Sequence, residues 1–422
     1  MDFIENYIGD GGGIRQNSQQ QLRARNMKLM FNLINDGRCA TRAGLSRKCR
    51  LSPSTVSSLV EDLKRAGLVL ELGLDRSTAN GGRRAVKLKV NAESRQIPVF
   101  VLSELGVSYT LYDLGYNVLE RVFWPKLTEA ADGKYRDAGG AYADIIYDLL
   151  TTKSRRFDPR LAVAVLISLP GTYRKKDGRF YLSPMRATFE IGPLAALRDR
   201  LSMPVFLGNS SLSLAYAEKK SLEASRRWCQ DLLYINICGG VGAGILIGDD
   251  VLTQPGRISG EIGHMIIVPN GRPCLCGNRG CLEQYASTGA IIADVRRALA
   301  SDHSGEHPEL VRALLANTTL ENIGRADEQG LSSVRAVLDT VAERLFAGIY
   351  GAVNITGVHH VSLGGIAPLG QRFLDRVRKN CSGDSGFFLM DSVTVSFARA
   401  DGEDEALGIA KYYIDKVFAV GS

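Results

Sequence analysis

The most informative segment of the chain contains Gly-Glu-Ile-Gly-His at 260–264 and Cys-Leu-Cys-Gly-Asn-Arg-Gly-Cys-Leu-Glu at 274–283. It brings together one imidazole and three thiols, those of His264, Cys274, Cys276 and Cys281. One nitrogen and three sulfurs form the ligand set of a closed, tetrahedral structural zinc site, in which no position stays open for water. Gly277 and Gly280 permit the tight turns that this convergence needs. The segment therefore predicts one structural zinc ion per chain.

Two other interpretations of this segment are weaker: three buried cysteines with a surface histidine, and a disulfide framework. Three thiols within eight residues rarely occur together without a metal or a disulfide. A disulfide framework would leave one of the three thiols unpaired. A signal peptide would begin with basic residues followed by an apolar stretch, and the N-terminal residues Met-Asp-Phe-Ile-Glu-Asn do not show this pattern. We therefore expect a cytoplasmic protein with reduced thiols. The remaining cysteines are expected to be small buried hydrophobic residues: Cys39, Cys49, Cys229, Cys238 and Cys381.

The same segment resembles the signature of the ROK family (repressors, open reading frames and kinases of sugars). The shared pattern is Gly-Glu-x-Gly-His followed by Cys-x-Cys-Gly-x-x-Gly-Cys-x-Glu, which is long and specific. The resemblance implies two actin-like lobes of ribonuclease-H type with a ligand cleft between them. It does not choose between a repressor and a kinase, so that choice depends on other residues.

The chain has 422 residues, which are too many for a single hydrophobic core, so more than one domain is expected. Charge is distributed unevenly along it. Residues 1–95 hold 17 Lys or Arg against 9 Asp or Glu, whereas the rest holds 35 against 36. A basic segment attached to a neutral body is typical of nucleic-acid binding, although a solubilising basic face would give the same count. No apolar run approaches the roughly 20 residues of a membrane span.

The N-terminal part predicts a DNA-binding domain. Residues 1–20 are rich in Gly, Gln and Asn and are expected to form a flexible arm, and residues 21–91 a winged helix-turn-helix. Ser52 can cap the recognition helix, and Pro53 suits its first turn. The helices are predicted near 22–34, 41–49 and 53–65, and the wing strands at 68–71 and 86–90. ROK repressors carry such a domain before their sugar-binding body, and ROK kinases generally lack it.

Contacts to DNA are predicted at two places in this domain. Ser54, Thr55 and Ser57 lie early in the recognition helix and should approach bases or phosphates. Arg83 and Arg84 form the tip of the wing and should enter a minor groove, with simple phosphate pairing as the alternative. Regulators of this design are usually two-fold dimers. We therefore expect a homodimer, or a dimer of dimers, on double-stranded DNA with an inverted-repeat operator.

From residue 96 onward, strands alternate with helices, which predicts an α/β body. The ROK resemblance divides this body, residues 96–422, into two lobes. Lobe 1 would cover about 96–215 plus a C-terminal helix at about 404–420, and lobe 2 about 216–403. The expected strands are 99–102, 107–112, 118–122, 161–167, 232–237, 244–247 and 358–363. A helix is expected around 142–151 and a long helix near 334–349.

Two places in the sequence argue against the kinase interpretation. A ROK kinase uses the Asp of an Asn-Asp pair as the general base, and this chain has Asn209-Ser210 there. A Ser hydroxyl is too weakly basic for that role. The first phosphate loop of the family, Asp-x-Gly-x-Thr, is also missing from residues 102–108. The glycine-rich runs at 239–244 and 364–365 resemble other family loops, but glycines also serve close packing. No catalytic residue is therefore predicted.

The sugar site of the family is better retained. The resemblance places sugar contacts at Asn209, Glu261, His264 and Glu283, with Pro170 and Gly171 in the pocket wall. His264 would bind zinc with one ring nitrogen and face the sugar with the other. We expect a transcriptional repressor of carbohydrate metabolism controlled by a sugar or sugar derivative. The alternatives are a ROK sugar kinase with an added DNA-binding domain, and a regulator controlled by a protein partner.

Overall fold

The computed structural model describes most of the chain. The described residues are 18–74, 86–103, 106–125, 138–174, 179–182, 187–225, 229–248, 250–252, 259–302, 304–382, 390 and 392–418. Among them, no helix is both long enough and apolar enough to cross a lipid bilayer. The predicted arm at 1–20 lies almost entirely outside the described residues, as do Arg83 and Arg84 at the predicted wing tip.

Three helices and a two-stranded sheet form the N-terminal part. They are α1 (Ser18–Asn35), α2 (Arg42–Cys49), α3 (Pro53–Arg65), β1 (Val69–Leu74) and β2 (Val86–Val90). The hydroxyl of Ser52 accepts a hydrogen bond from the Thr55 amide at 3.1 Å, so the predicted cap of α3 is present. One face of α3 is buried, with Val56, Leu59, Val60 and Leu63 in the core. Burial of each such side chain contributes about 1.5–3 kcal/mol.

The first half of the body is built on a mixed five-stranded sheet. Its strands are β3 (Gln96–Ser103), β4 (Gly106–Asp113), β5 (Val118–Pro125), β6 (Val165–Leu169) and β10 (Val205–Asn209), in the order β10-β6-β3-β4-β5. A small antiparallel sheet contains β7 (Thr172–Arg174), β8 (Arg179–Leu182) and β9 (Ala187–Glu190). Helices α4 (Ala138–Asp148) and α5 (Gly192–Leu201) pack on each other in this half.

The second half contains another mixed five-stranded sheet, in the order β13-β12-β11-β14-β15. Its strands are β11 (Leu232–Ile237), β12 (Val241–Ile247), β13 (Asp250–Val251), β14 (His360–Gly364) and β15 (Thr394–Phe397). The helices of this half are α7 (Glu283–Ala286), α8 (Thr288–Ala300), α9 (Pro308–Ala316), α10 (Leu320–Glu328), α11 (Ser332–Thr356) and α12 (Gln371–Cys381). The last elements of the described residues are α13 (Glu405–Tyr412) and a wider helical turn over Tyr413–Val417.

Helix α6 (Ser210–Ala224) lies between the two halves. It packs against β11 and β12 of the second sheet and against β10 and α13 on the other side. Its residues Leu214, Ala215, Tyr216 and Leu222 belong to one apolar cluster that also includes residues of α1, of the first sheet and of α13. Because α6 begins directly after β10, its first turn is placed at the end of that strand.

Most predicted elements are present, with shifted ends. The expected strand at 161–167 begins only at Val165, because Leu161 closes a turn by donating its amide hydrogen to the Asp158 carbonyl. The long helix is α11, which extends to Thr356 instead of 349. The sheet β7-β8-β9 was not predicted from the sequence, because its strands have three or four residues each and carry little periodic signal.

Candidate functional site

The four predicted metal ligands converge. The donor atoms of His264, Cys274, Cys276 and Cys281 all lie within 4.8 Å of one another. Cys276 Sγ is 3.6 Å from Cys281 Sγ, and Cys274 Sγ is 3.7 Å from His264 Nδ1. Four bonds of about 2.3 Å at tetrahedral angles would place sulfurs about 3.8 Å apart. The cluster could therefore hold a metal ion with the geometry that zinc prefers.

The loop that carries the thiols depends on glycine. At Gly280, φ is +82°, and a Cβ there would lie 1.7 Å from the Val268 carbonyl oxygen. Gly277 also has a positive φ, of +92°. The Cys274 amide donates to the Asn278 carbonyl at 2.9 Å, which closes the turn between the first two thiols and the third. No residue with a Cβ fits at position 280, so the close approach of the two chain segments is specific to glycine.

Three neighbouring thiols are unfavourable as thiolates unless a cation is present. Burial and the neighbouring Cys276 and Cys274 raise the pKa of Cys281 above its usual range. Metal binding requires deprotonated sulfur, and the charge of the ion offsets the repulsion. Gln284 supports the cluster from outside, since its Nε2 lies 3.6 Å from Cys274 Sγ. Arg272 forms a two-pronged ion pair with Asp294 at 2.9 Å, and it ties the loop to α8.

His264 connects this cluster to a cavity. Its Nδ1 faces Cys274, whereas its Nε2 lies 3.9 Å from Glu261 Oε2. The cavity has an empty volume of about 550 Å³, part of which is open to solvent. It is lined by Pro170, Gly171, Asn209, Ser210, Ser211, Asn236, Cys238, Gly240, Val241, Gly242, Glu261, His264 and Glu283. The structure thus brings all six predicted sugar-site residues to one cavity.

The side chain of Asn209 forms hydrogen bonds that stabilise the structure of this cavity. Its Oδ1 accepts hydrogen bonds from the amides of Ser211 and Leu212, which caps the N-terminus of α6. Its Nδ2 donates to the Gly171 carbonyl at 2.9 Å. One side chain therefore fixes the start of α6 against the Pro170–Gly171 wall. Among the contacts of the described residues, one amide hydrogen of Asn209 is left over for a ligand.

Glu283 is buried and also braces the cavity. Its Oε2 accepts a hydrogen bond from the Val241 amide at 3.1 Å, at the tight turn between β11 and β12. Glu261 is only partly buried and lies at the cavity surface. Carboxylates, amides and an imidazole in one concave site can together accept and donate hydrogen bonds to several vicinal hydroxyls. The arrangement suits a polar, hydroxyl-rich small molecule.

Ser210, which the family resemblance places at the position of the kinase base, is buried. Its side chain hydrogen-bonds Glu405, a buried carboxyl that also accepts a hydrogen bond from Ser168 at 2.6 Å. Burial raises the pKa of Glu405, although these hydrogen bonds oppose the shift. Nothing in the sequence marked Glu405 as a neighbour of Ser210, because the two lie almost two hundred residues apart. The carboxyl supports Ser210 from behind, away from solvent.

The glycine-rich run at 239–244 serves close packing of β12 on α6. A Cβ at Gly244 would lie 2.4 Å from the Ala215 Cβ, and one at Gly242 would lie 2.6 Å from the Ser211 Oγ. Close packing therefore accounts for the presence of glycine at these positions without a bound nucleotide. The part of the first phosphate loop at residues 104 and 105 lies outside the described residues.

Several residues that line the cavity were not predicted from the sequence, and the burial of one cysteine was predicted wrongly. Ser211, Asn236 and Gly240–Gly242 line the cavity but belong to no predicted ligand set. Cys238 is exposed and lines the cavity, so its prediction as a buried hydrophobic residue was wrong. It lies directly after β11, in the turn that leads to β12. Cys49 is only partly buried, and Cys39, Cys229 and Cys381 are buried as expected.

The predicted DNA-contacting side chains on α3 are accessible. Ser54 and Ser57 are exposed, and Thr55 is partly buried, with its hydroxyl 2.8 Å from the Ser52 Oγ. Several nearby basic residues are neutralised within the domain. Arg42 pairs with Glu61 at 2.6 Å, and Arg65 pairs with Asp62 at 2.5 Å. On β2, the side chains of Lys87 and Lys89 are exposed.

Comparison with known proteins agrees with this architecture. Residues 137–408 match the model of the ROK family. The chain is similar to the xylose repressor of Caldicellulosiruptor bescii, with 28% identity over 361 residues, which is 85% of this chain and 87% of that protein.

Solved structures share the fold. The crystal structure of a ROK family transcriptional regulator, a homolog of the Escherichia coli MLC protein, superposes with a TM-score of 0.74 at 23% identity, over 95% of this chain and 97% of that one. A ROK family glucokinase from Streptomyces griseus, in complex with glucose and AMPPNP, gives a TM-score of 0.57 at 22% identity, over 75% of this chain and 98% of that one. The expected α/β fold with two actin-like lobes is confirmed.

Proposed function

The chain belongs to the ROK family, and from this membership we propose that it is a DNA-binding transcriptional repressor of carbohydrate metabolism. A sugar or sugar derivative in the cavity beside the metal cluster would set its affinity for the operator. The protein would act in the cytoplasm, as a dimer on an inverted repeat, and without kinase activity. The xylose repressor relative, which is similar over most of both chains, supports a repressor.

One observation carries the proposal. The polar cavity is retained, yet the position of the kinase base holds Ser210, whose hydroxyl is engaged with the buried Glu405. A site that keeps groups for binding hydroxyls but holds a serine at the position of the kinase base is better suited to sensing a sugar than to transferring a phosphoryl group to it. The unit formed by α1–α3 and β1–β2 would supply the DNA-binding domain that a repressor also needs.

A zinc ion in the cluster of His264 and the three thiols would brace the cavity. A bound zinc would hold the imidazole at Nδ1 and leave Nε2 directed toward Glu261 and the ligand. His264 would then position a sugar hydroxyl without any role for the metal in chemistry. Glu261 and Glu283 would accept hydrogen bonds from further hydroxyls, and Asn209 would hold α6 and the Gly171 wall in place.

A thermal-shift screen tests the ligand. Pentoses such as xylose, hexoses, N-acetylhexosamines and their phosphates are each added to the purified chain. A ligand at 100 times its Kd stabilises the native state by about 2.7 kcal/mol and raises Tm by several degrees. Glu261→Gln should abolish the shift, whereas Glu309→Gln, exposed on α9, should preserve it.

A negative screen would favour the second candidate, a regulator controlled by a protein partner. The observation behind this candidate is an apolar surface beside the metal cluster, where Ile266 is 53% exposed and Leu275 is 59% exposed. A kinase with an added DNA-binding domain would instead show turnover of sugar and ATP.

A further inference from the structure

A cluster of buried charges ties the end of α1 to the body of the chain. Lys220 of α6 lies 3.1 Å from Asp36, directly after α1, and 2.8 Å from Asp415 in the C-terminal helical turn. These three side chains are only 11%, 14% and 4% exposed. Arg38 pairs with Asp36 at 2.6 Å, and Glu223 lies 3.9 Å from Lys220. The cluster therefore joins the N-terminal helices to α6 and to the C-terminus.

Because the charged groups of this cluster are buried, its interaction energy depends strongly on the distances between them. Burial alone would lower the pKa of Lys220, but the carboxylates of Asp415 and Asp36 outweigh it and raise the pKa. Tyr216 adds a hydrogen bond to Asp415 Oδ2 at 2.7 Å. Charges removed from water lose stabilisation sharply when a partner moves, because solvent does not replace it.

One face of α1 makes further contacts with the C-terminal helical turn and the residue after it. Lys28 donates from Nζ to the carbonyl oxygens of Ile414 and Phe418, and Asn32 Nδ2 donates to the Asp415 carbonyl at 3.2 Å. Lys28, Asn32 and Asp36 are spaced four residues apart, which places them on one side of the helix. Asn32 Oδ1 and Asp415 Oδ1 are buried without a protein hydrogen-bond partner among the described residues. Buried oxygens without a protein partner are unusual, and each of these two can still accept a further hydrogen bond.

The opposite end of α6 lies in the cavity. Ser210 and Ser211 line the cavity, and Asn209 caps the helix there. Lys220 follows ten residues later, roughly 15 Å along the helix axis. Between these ends, α6 packs closely against α13. A Cβ at Gly408 of α13 would lie 1.9 Å from the Ser213 carbonyl oxygen. Close packing of this kind has low compressibility, so it can transmit strain from one end of the helix to the other.

We propose that α6 couples the cavity to the DNA-binding domain, with Asp36, Lys220 and Asp415 as the joint at which a shift of α6 changes how α1 is held. The inference rests on the proposed function, because it assigns the route by which a cavity ligand reaches the DNA-binding helices. By reciprocity, a disturbance at the joint must also be felt at the cavity end of α6.

Hydrogen–deuterium exchange on the full chain tests this reciprocity without any sugar or operator. The variants are Lys220→Met and Asp36→Asn, and the control is Arg376→Met. Arg376 makes a comparably buried ion pair with Asp327 at 2.6 Å, in the second half of the body. Both joint variants should speed exchange about fivefold or more in peptides covering α1 and in peptides covering 209–213. The control should change neither region.

Each other outcome counts against the proposal. Faster exchange in α1 alone means that the joint anchors the domain without coupling, which overturns the role of α6. Unchanged exchange in both regions overturns the joint as well. If Lys220→Met does not fold, as judged by a cooperative melt, Asp36→Asn decides, since it leaves the Lys220–Asp415 pair intact. Failure to bind DNA or sugar would sink the proposed function without altering these exchange rates, so the two failures are distinguishable.

Discussion

Glu261 Oε2 lies 3.9 Å from His264 Nε2, while the other ring nitrogen of His264 faces the Cys274 thiol at 3.7 Å. One imidazole therefore belongs to both the candidate metal cluster and the cavity. A hydrogen bond or metal bond at one ring nitrogen fixes the tautomer and orientation of the other. The occupancy of the cluster should consequently control how well the cavity binds its ligand.

We expect the purified protein to contain about one zinc per chain. Cys276→Ser should lose the metal, because three remaining ligands hold a structural zinc poorly, and its Tm should fall by several degrees. Elemental analysis by mass spectrometry and thermal melts measure both effects. Cys238→Ser is the matched control, since that exposed thiol lies in the cavity but outside the cluster. Zinc-free wild-type protein, purified without chelator, would contradict the assignment.

No ATP-dependent phosphorylation of hexoses or N-acetylhexosamines is expected above the enzyme-free background, because Ser210 cannot act as the base. A coupled ADP-release assay measures this directly. Ordinary kinase turnover would establish the kinase alternative instead.

Ser210→Asp should not restore activity, and it should destabilise the fold by about 2 kcal/mol. The new carboxylate would lie beside the buried Glu405, where two negative charges cannot both be accommodated. Ser210→Ala, which removes the hydroxyl without adding charge, is the control and should cost less. Denaturant unfolding of both variants gives the comparison, and equal stabilities would refute the charge argument.

Stability should depend on pH through Glu405. Burial raises its pKa in the folded state above the ordinary value of 4.5, so the folded protein binds this proton more tightly than the unfolded chain. Its contribution to stability is fully present below pH 4.5 and declines as pH rises through the folded pKa.

Glu405→Gln removes the titrating group and should be more stable than wild type near neutral pH, with the difference shrinking toward pH 4.5. Unfolding free energies measured between pH 4 and pH 8 provide the readout. The exposed Glu403→Gln is the control and should leave the pH profile as it is. A variant less stable than wild type at every pH would mean that the carboxylate is stabilised by its hydrogen bonds more than it is penalised by burial.

Replacing Arg83 and Arg84 with Ala should weaken operator binding by about tenfold or more and relax the preference for A·T-rich flanks. If the two arginines pair only with phosphates, affinity should fall equally on all sequences, and the salt slope should shrink by about 1.8. Binding titrations over a range of salt concentrations separate the two cases. Arg296 and Arg312, replaced together by Ala, remove the same charge from exposed sites in the body. Wild-type affinity of the Arg83/Arg84 variant would rule out the proposed docking of the wing.

Local features of this protein were accessible from the sequence. The Ser52 cap and the buried stripe of α3 follow from residues within one helix, and the structure contains both. The metal cluster was equally predictable, because three of its ligands lie within eight residues and glycines at 277 and 280 leave the chain only a few ways to turn. In such short segments, the covalent connection itself limits which groups can meet.

Contacts between distant segments were decided by the tertiary structure. Ser168 and Glu405 are 237 residues apart, Lys220 and Asp36 are 184 apart, and no local pattern connects either pair. The packing of α6 between the two halves brings Glu405 behind Ser210 and places Lys220 between two carboxylates. It also engages Asn209 in capping and bracing, although the family resemblance had placed this residue among the sugar contacts. The sequence determined which chemical groups are available, and only the packing of remote elements determined which of them meet and which are left free for a ligand.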